Sequence, residues 1–308
     1  MVIQRIVSFL PSATELIFEL GAGDRLYGVT HECDYPDDAK SKPRVINSVF
    51  DHQNMSSKQI DDKIMELTNA GQEIYSLDEK NLIASRPDLI ISQDICEVCS
   101  AHTNQVKKAV SILENKPQVH TLHSHSLSGI LSSIRDVAKI IGKEVKGEQL
   151  IASLKKKTDF ISEKKIDYTP KVLCLEWLEP FFSSGHWVPE MVRTAGGQNQ
   201  ITKDGDRSRR LSFWELESCD ADVIVLMPCG FDVGRTISEY KKILRDDESW
   251  NSLRAVQDKK VFAVDANSYF SKPSLRTFTG VEILAKILHP QDFGDLAVPD
   301  NSFEKIES

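Results

Sequence analysis

One phrase occurs twice in this chain, and the repetition limits what the chain can fold into. Near the start, Arg5-Ile6-Val7-Ser8-Phe9-Leu10 runs through Pro11-Ser12-Ala13-Thr14-Glu15 into Leu16-Ile17-Phe18-Glu19-Leu20-Gly21. Past the midpoint, Lys171-Val172-Leu173-Cys174-Leu175 runs through a polar and aromatic loop into Val188-Pro189-Glu190-Met191-Val192 and then Ala195-Gly196-Gly197. Each reads as a buried strand, a turn, a helix and a glycine stop. Each copy then reaches a second strand opened by an acidic residue, Arg86-Pro87-Asp88-Leu89-Ile90-Ile91-Ser92 in the first and Ala221-Asp222-Val223-Ile224-Val225-Leu226 in the second. Both second strands end in a cysteine-bearing loop, Cys96 with Cys99 and then Pro228-Cys229-Gly230. Two such halves predict an α/β chain with two Rossmann-like lobes, each built on a mostly parallel sheet. In such sheets ligands sit beyond the carboxyl ends of the strands, so the expected site is a cleft between the lobes.

A chain of 308 residues is long enough for two domains without disulfide or metal staples. The first lobe is expected over 1–123, a helical connecting segment over 124–168, the second lobe over 169–290 and a fraying tail over 291–308. In the first lobe the pattern predicts strands at Arg5–Phe9, Leu26–Thr30, Leu89–Ser92 and Val119–Leu122, with helices at Ala13–Leu20, Ser57–Asn69, Leu77–Ser85 and Ala101–Leu113. Residues 40–56, punctuated by Pro43, read as a loop. The connecting segment reads as a helix stopping near Gly142, then a longer charged helix ending near Ile161. In the second lobe, strands are expected at Val172–Leu175, Val223–Leu226 and Val261–Val264.

The formal charge of −8 carries no basic stripe, which argues against a nucleic-acid partner. The longest apolar runs fall well short of the ~20 residues a membrane helix requires. Met1-Val2-Ile3-Gln4 leads straight into the first strand without a secretion-signal pattern. The expectation is therefore a cytoplasmic chain whose six cysteines are thiols or metal ligands rather than disulfides; a trimmed N-terminus would instead place it in the periplasm or outside the cell.

Loops at the strand ends gather a specific set of side chains. The first lobe contributes Pro11, Ser12, His31 and Asp34; the second contributes Trp177, Phe182, His186, Trp187, Arg210, Phe231, Asn267, Tyr269 and Phe270. Aromatic rings in loops suit a broad, flat, mostly apolar ligand held by a few polar groups; they would equally serve to seal an interface. Cys96-x-x-Cys99 has metal-ligand spacing, and Cys33 and Cys229 are candidates to complete a zinc or iron–sulfur site. His120, His123 and His125 form a second short run of possible ligands, and Arg207, Arg209 and Arg210 a possible anion clamp or a solvated loop. No nucleophile elbow, P-loop or dinucleotide fingerprint occurs, so no residue is assigned a catalytic role and the reading leans away from an enzyme.

Ser8-Phe9-Leu10-Pro11-Ser12-Ala13-Thr14-Glu15, Gly28-Val29-Thr30-His31-Glu32-Cys33-Asp34-Tyr35-Pro36 and Arg86-Pro87-Asp88-Leu89-Ile90 resemble the cobalamin and iron-complex substrate-binding proteins of ABC importers. Gly185-His186-Trp187-Val188-Pro189-Glu190, Leu226-Met227-Pro228-Cys229-Gly230-Phe231 and Asn267-Ser268-Tyr269-Phe270-Ser271 resemble the cobalamin-binding subgroup. The resemblance implies two lobes joined by a long helix, moving little on binding, with cobalamin or a related corrinoid or metal chelate as ligand. It also implies an ABC permease as partner, docked through one glutamate on each lobe. At the matching positions stand Lys80 and Trp214, with Glu79 and Glu215 adjacent, so those glutamates are shifted or lost. The remaining alternative is a cytosolic metalloprotein or enzyme with zinc or an iron–sulfur cluster on Cys33, Cys96, Cys99 and Cys229.

Overall fold

The computed structural model describes residues 2–93 and 103–307. It divides into two compact units. The first comprises Met1–Asn54, Asp62–Ser124 and Ser128–Ala152; the second comprises Met55–Asp61, His125–Leu127 and Ser153–Ser308. The division falls inside the long helix Glu144–Ser162, which carries the chain from one α/β lobe to the other.

The sheet of the first unit contains β1 (Ile6–Ser8), β2 (Leu26–Thr30), β3 (Arg44–Ser48), β4 (Tyr75–Leu77), β5 (Leu89–Gln93) and β6 (Gln118–Leu122). Its order is β4-β3-β2-β1-β5-β6, parallel except for β4 at the edge. β1 and β5 are buried along their whole lengths, as central strands covered on both faces must be. Val7, Phe9, Val45, Ile46, Leu82 and Ile90 form the core here. From β1 the chain winds toward β2 on one side and returns to β5 on the other. The order therefore reverses between β1 and β5, and their carboxyl ends open on a crevice.

The sheet of the second unit contains β7 (Lys171–Leu178), β8 (Phe181–Ser183), β9 (Gln198–Asn199), β10 (Val223–Leu226), β11 (Val261–Val264) and β12 (Phe303–Lys305). β7, β10 and β11 are parallel neighbours. β8 and β9 flank β7 on its other side, and β12 runs antiparallel to β11. The reversal in this sheet lies between β7 and β10. Its core is built around Leu175, Leu226, Tyr240 and Trp250.

The acidic residue that opens the second strand of each repeat has the same task in both units. Asp88 accepts backbone N–H bonds from Gln4 and Arg5 at 2.9 and 3.0 Å, and Asp222 accepts one from Lys171 at 2.7 Å. Two residues upstream, Arg86 and Asp220 both take the left-handed conformation with φ of 42°. Each carboxylate thus ties its strand to the amino end of the neighbouring strand, fixing the register by which the carboxyl ends come level. Gly21 and Gly142, read as helix stops, lie at positive φ (70° and 71°), as does Gly71 after the helix Ser57–Asn69 (65°), a conformation glycine adopts without a Cβ clash.

Three expectations need correction. The segment 40–56 contains β3, whose Val45 and Ile46 are buried while polar residues flank them. Trp177 and Leu178 continue β7 into a hairpin with β8, where a loop was expected. The tail does not fray throughout: Phe303–Lys305 pairs with β11, and Ile306 enters the core.

Candidate functional site

In the first unit, Pro11 occupies the first turn of the helix Pro11–Glu19, where its missing N–H costs nothing. Leu10 precedes it in extended conformation and supplies no side-chain cap. Ser12 follows, 4% exposed, and its Oγ has no hydrogen-bond partner. His31 stands directly after β2, its ring 5.8 Å from Tyr75, and its buried Nδ1 is likewise unpartnered. Asp34 points outward and pairs with Arg44 at 3.2 Å. The structure also places Gln93, which opens the loop expected to bring Cys96 and Cys99 to the cleft, at the carboxyl end of β5 with an unpartnered buried Oε1. Its signal was only a polar residue closing an apolar run.

In the second unit the aromatic residues fall into two groups. Trp177 and Phe182 face each other as register partners in the β7–β8 hairpin, both half-buried. Phe231 is fully buried and packs edge-on against Trp177 at 5.5 Å between ring centres. Arg235, a residue missed from sequence, lays its guanidinium 3.8 Å from the Phe231 ring centre, within the range of cation–π attraction. Arg210 lies over Phe182 at 5.5 Å, and one of its terminal nitrogens donates to both Asp61 oxygens, at 2.8 and 3.0 Å. Trp187 and Phe270 are core residues, joined by a Trp187 Nε1 bond to the Phe270 carbonyl at 2.8 Å. Tyr269 remains half-buried with Arg276 at 5.9 Å from its ring. Asn267 binds the Phe231 carbonyl through its backbone N–H and accepts from Lys272 at 2.7 Å through its side chain.

The segment Met55–Asp61 groups with this unit and is clasped to it. Ser57 donates through both backbone N–H and hydroxyl to the buried carboxylate of Glu239, at 2.6 and 2.7 Å. The Trp177 indole donates to the Ser57 carbonyl at 3.2 Å, and Arg235 to the Met55 carbonyl at 3.1 Å. This strap holds the edges of Trp177 and Arg235 in place. It joins residues 182 positions apart, so no local motif announces it.

His186 takes a left-handed φ of 55°, with its ring 5.7 Å from both His125 and Trp187. Burial, reinforced by His125 and Arg207, pushes its pKa down to about 4, so the imidazole is neutral at physiological pH. Its Nδ1 is buried without a partner.

The cysteine site expected from sequence finds no support. Cys33 is buried and hydrogen-bonded to Thr14 Oγ1 at 3.1 Å and Thr30 Oγ1 at 3.2 Å; burial pushes its thiol pKa up, away from the thiolate a metal needs. Cys96 and Cys99 lie outside the described residues. Among the described residues no three histidine, cysteine or acidic side chains gather where they could hold a metal ion, so neither Cys229 nor the His120–His125 run belongs to such a group. Cys174 is buried in β7 with its pKa pushed up to about 12, an inert core thiol.

The two glutamates beside the expected docking positions differ. Glu79 is exposed and pairs with Lys108 at 2.9 Å. Glu215 closes a capping box with Ser212 and pairs with Arg209 at 2.7 Å. Hydrogen bonds from the Ser212 backbone, Arg209 and the Ser212 hydroxyl pull its pKa down to about 2. Its neighbour Trp214 stands 70% exposed.

Comparison with known proteins places these features in context. The chain is 23% identical over 298 residues to the uncharacterized ABC transporter substrate-binding lipoprotein YvrC of Bacillus subtilis, covering 94% of this chain and 81% of the relative. It is 21% identical over 282 residues to the vitamin B12-binding protein of Vibrio campbellii, covering 90% and 86%. Among solved structures, the periplasmic heme-binding protein RhuT from Roseiflexus sp. RS-1 shares the fold with a TM-score of 0.70 at 20% identity, over 93% of this chain and 98% of that one. The expectation of a cytoplasmic protein finds no support among these relatives, described as periplasmic or as a lipoprotein. Among the described residues no helix is long and apolar enough to cross a membrane. A family model for the periplasmic binding protein matches residues 6–268, from the first strand of the first unit to the helix Ala266–Tyr269 after β11, and the chain belongs to that family.

Proposed function

We propose that this protein captures cobalamin or a closely related corrinoid and presents it to an ABC-type permease, acting outside the cytoplasm. The observation that carries this reading is the set of half-buried aromatic residues of the second unit, Trp177 and Phe182 in the β7–β8 hairpin and Tyr269 in the helix Ala266–Tyr269 that follows β11. Their rings are large, rigid and apolar, which suits the faces of a flat macrocycle. Buried Phe231 and the guanidiniums of Arg210 and Arg235 back them. End-to-end likeness to a vitamin B12-binding protein supports the same ligand class. The role is capture without chemistry: the polar groups sit as anchors, and among the described residues no acid, base and nucleophile converge. Of the two glutamates, Glu79 is free of a capping role and is our candidate for permease docking.

Haem is the second reading, and His186 favours it. A neutral imidazole with an unpartnered ring nitrogen beside His125 suits axial ligation of an iron porphyrin. Titrating the purified full chain with cyanocobalamin and, separately, with haemin tests both. Corrinoid capture predicts a shifted corrin spectrum and comigration on gel filtration. A sharpened Soret band without any corrin response would instead establish haem as the cargo.

A further inference from the structure

Three of the buried polar atoms that lack a hydrogen-bond partner lie at one edge of the first unit's sheet: Ser12 Oγ, His31 Nδ1 and Gln93 Oε1. Ser12 and His31 follow β1 and β2, and Gln93 ends β5; these strands are adjacent in the order β2-β1-β5. The register brings His31 and Gln93 level with Leu10, two residues before Ser12. Ile91, two residues before Gln93, pairs with Ser8, and Gly28, three before His31, pairs with Val7. The helix Pro11–Glu19 begins at the same edge without a side-chain cap on its first turn. A buried polar group left unpaired is destabilising, and natural folds hold few of them. Three at one switch point, on residues only 4% (Ser12) and 9% (Gln93) exposed in two of the cases, point to a ligand that completes them.

The chemistry of the three narrows what that ligand group is. A serine hydroxyl, an imidazole and a primary amide each donate and accept, and all are uncharged when the imidazole is neutral. Helical N–H groups favour an oxygen acceptor at the same place. A neutral group offering both a carbonyl oxygen and N–H donors satisfies all of these conditions. We propose that Ser12, His31 and Gln93 form a subsite of the first unit that recognises a carboxamide side chain of the ligand. The proposal rests on the corrinoid reading and refines it, since a corrin rim bears amides where a porphyrin bears carboxylates.

The test uses the full-length protein, cyanocobalamin and its monocarboxylate derivatives, in which one amide at a time is hydrolysed. The wild type should discriminate against at least one derivative by about tenfold, the equivalent of one hydrogen bond to a well-made site. Ser12→Ala and Gln93→Met should weaken cyanocobalamin binding several-fold and lose that discrimination. Without ligand, both variants should unfold at the same or a higher urea concentration than wild type, because each removes an unpartnered polar group. Variants that bind and discriminate as wild type does, or that are destabilised without ligand, would overturn the subsite while leaving corrinoid binding intact. A wild type that binds no cyanocobalamin would overturn the corrinoid reading, and the subsite with it.

Discussion

Replacing Gly185 with alanine tests the geometry that carries His186. A Cβ at Gly185 would lie 2.5 Å from Ser208 N, 2.7 Å from the Asp206 carbonyl oxygen and 2.8 Å from Arg207 C. All three are backbone atoms, so no rotamer change relieves the overlap. The two segments are also stitched together, by His186 N to Asp206 O at 2.6 Å and Gly205 N to His186 O at 2.9 Å. Overpacking of this kind costs about 1–3 kcal/mol, and rigid neighbours place Gly185→Ala toward the upper end. Gly234→Ala is the control: its Cβ would meet only Asp232 Oδ1, at 3.6 Å, within the helix Val233–Ile243. There alanine should stabilise by about 0.5–1 kcal/mol, through helix propensity and a less flexible unfolded chain. The four tryptophans, Trp177, Trp187, Trp214 and Trp250, all lie in the second unit, so their fluorescence during urea unfolding reports that unit alone. With a urea slope of about 1–3 kcal/mol per molar, the two variants should move the midpoint in opposite directions, Gly185→Ala by roughly 1 M or more. A Gly185→Ala midpoint within about 0.5 kcal/mol of wild type, the range of an indifferent surface change, would refute the close packing of this turn.

Three further outcomes follow from the same structure. Glu239→Ala removes the charged acceptor of both Ser57 donors and should cost about 2–4 kcal/mol; the double variant with Ser57→Ala should cost less than the sum, and strict additivity would deny the strap. His186 stays neutral in the folded protein down to pH about 4, whereas an unfolded histidine takes up its proton near pH 6.5. The unfolded state therefore binds the extra proton, and stability falls as pH drops from about 6.5 to about 4. His186→Gln should flatten that part of the profile, and an NMR titration placing His186 near 6.5 in the native protein would contradict the burial argument. Brief alkylation of the native protein, read by mass spectrometry, should label half-buried Cys229 ahead of Cys33 and Cys174, whose thiols are buried and pushed up in pKa; early labelling of Cys33 would contradict its burial.

The parts of the fold legible in sequence are those whose signal is local. β2, β10 and β11 and the helix Ser57–Asn69 lie where apolar runs and stop signals put them, because parallel strands covered on both faces need continuous apolar runs. β3, β8 and β12 were not legible, since each owes its strand conformation to a partner's backbone. Phe303-Glu304-Lys305 carries no strand pattern until β11 offers it an edge. The site divides in the same way. Ser12 and His31 were found because they sit in a recognisable phrase and Gln93 because it opens a loop at a strand end, while Arg235 acquires meaning only through what the fold sets beside it. Aromatic character alone could not separate half-buried Trp177 from Trp187, which packs in the core with its indole N–H on the Phe270 carbonyl.

Native mass spectrometry of the full chain, mixed with equimolar cyanocobalamin and haemin, bears most directly on the central claim. The account predicts a dominant one-to-one complex with the corrinoid. A spectrum showing only the haem adduct, or only bare protein at ligand concentrations well above micromolar, would contradict it.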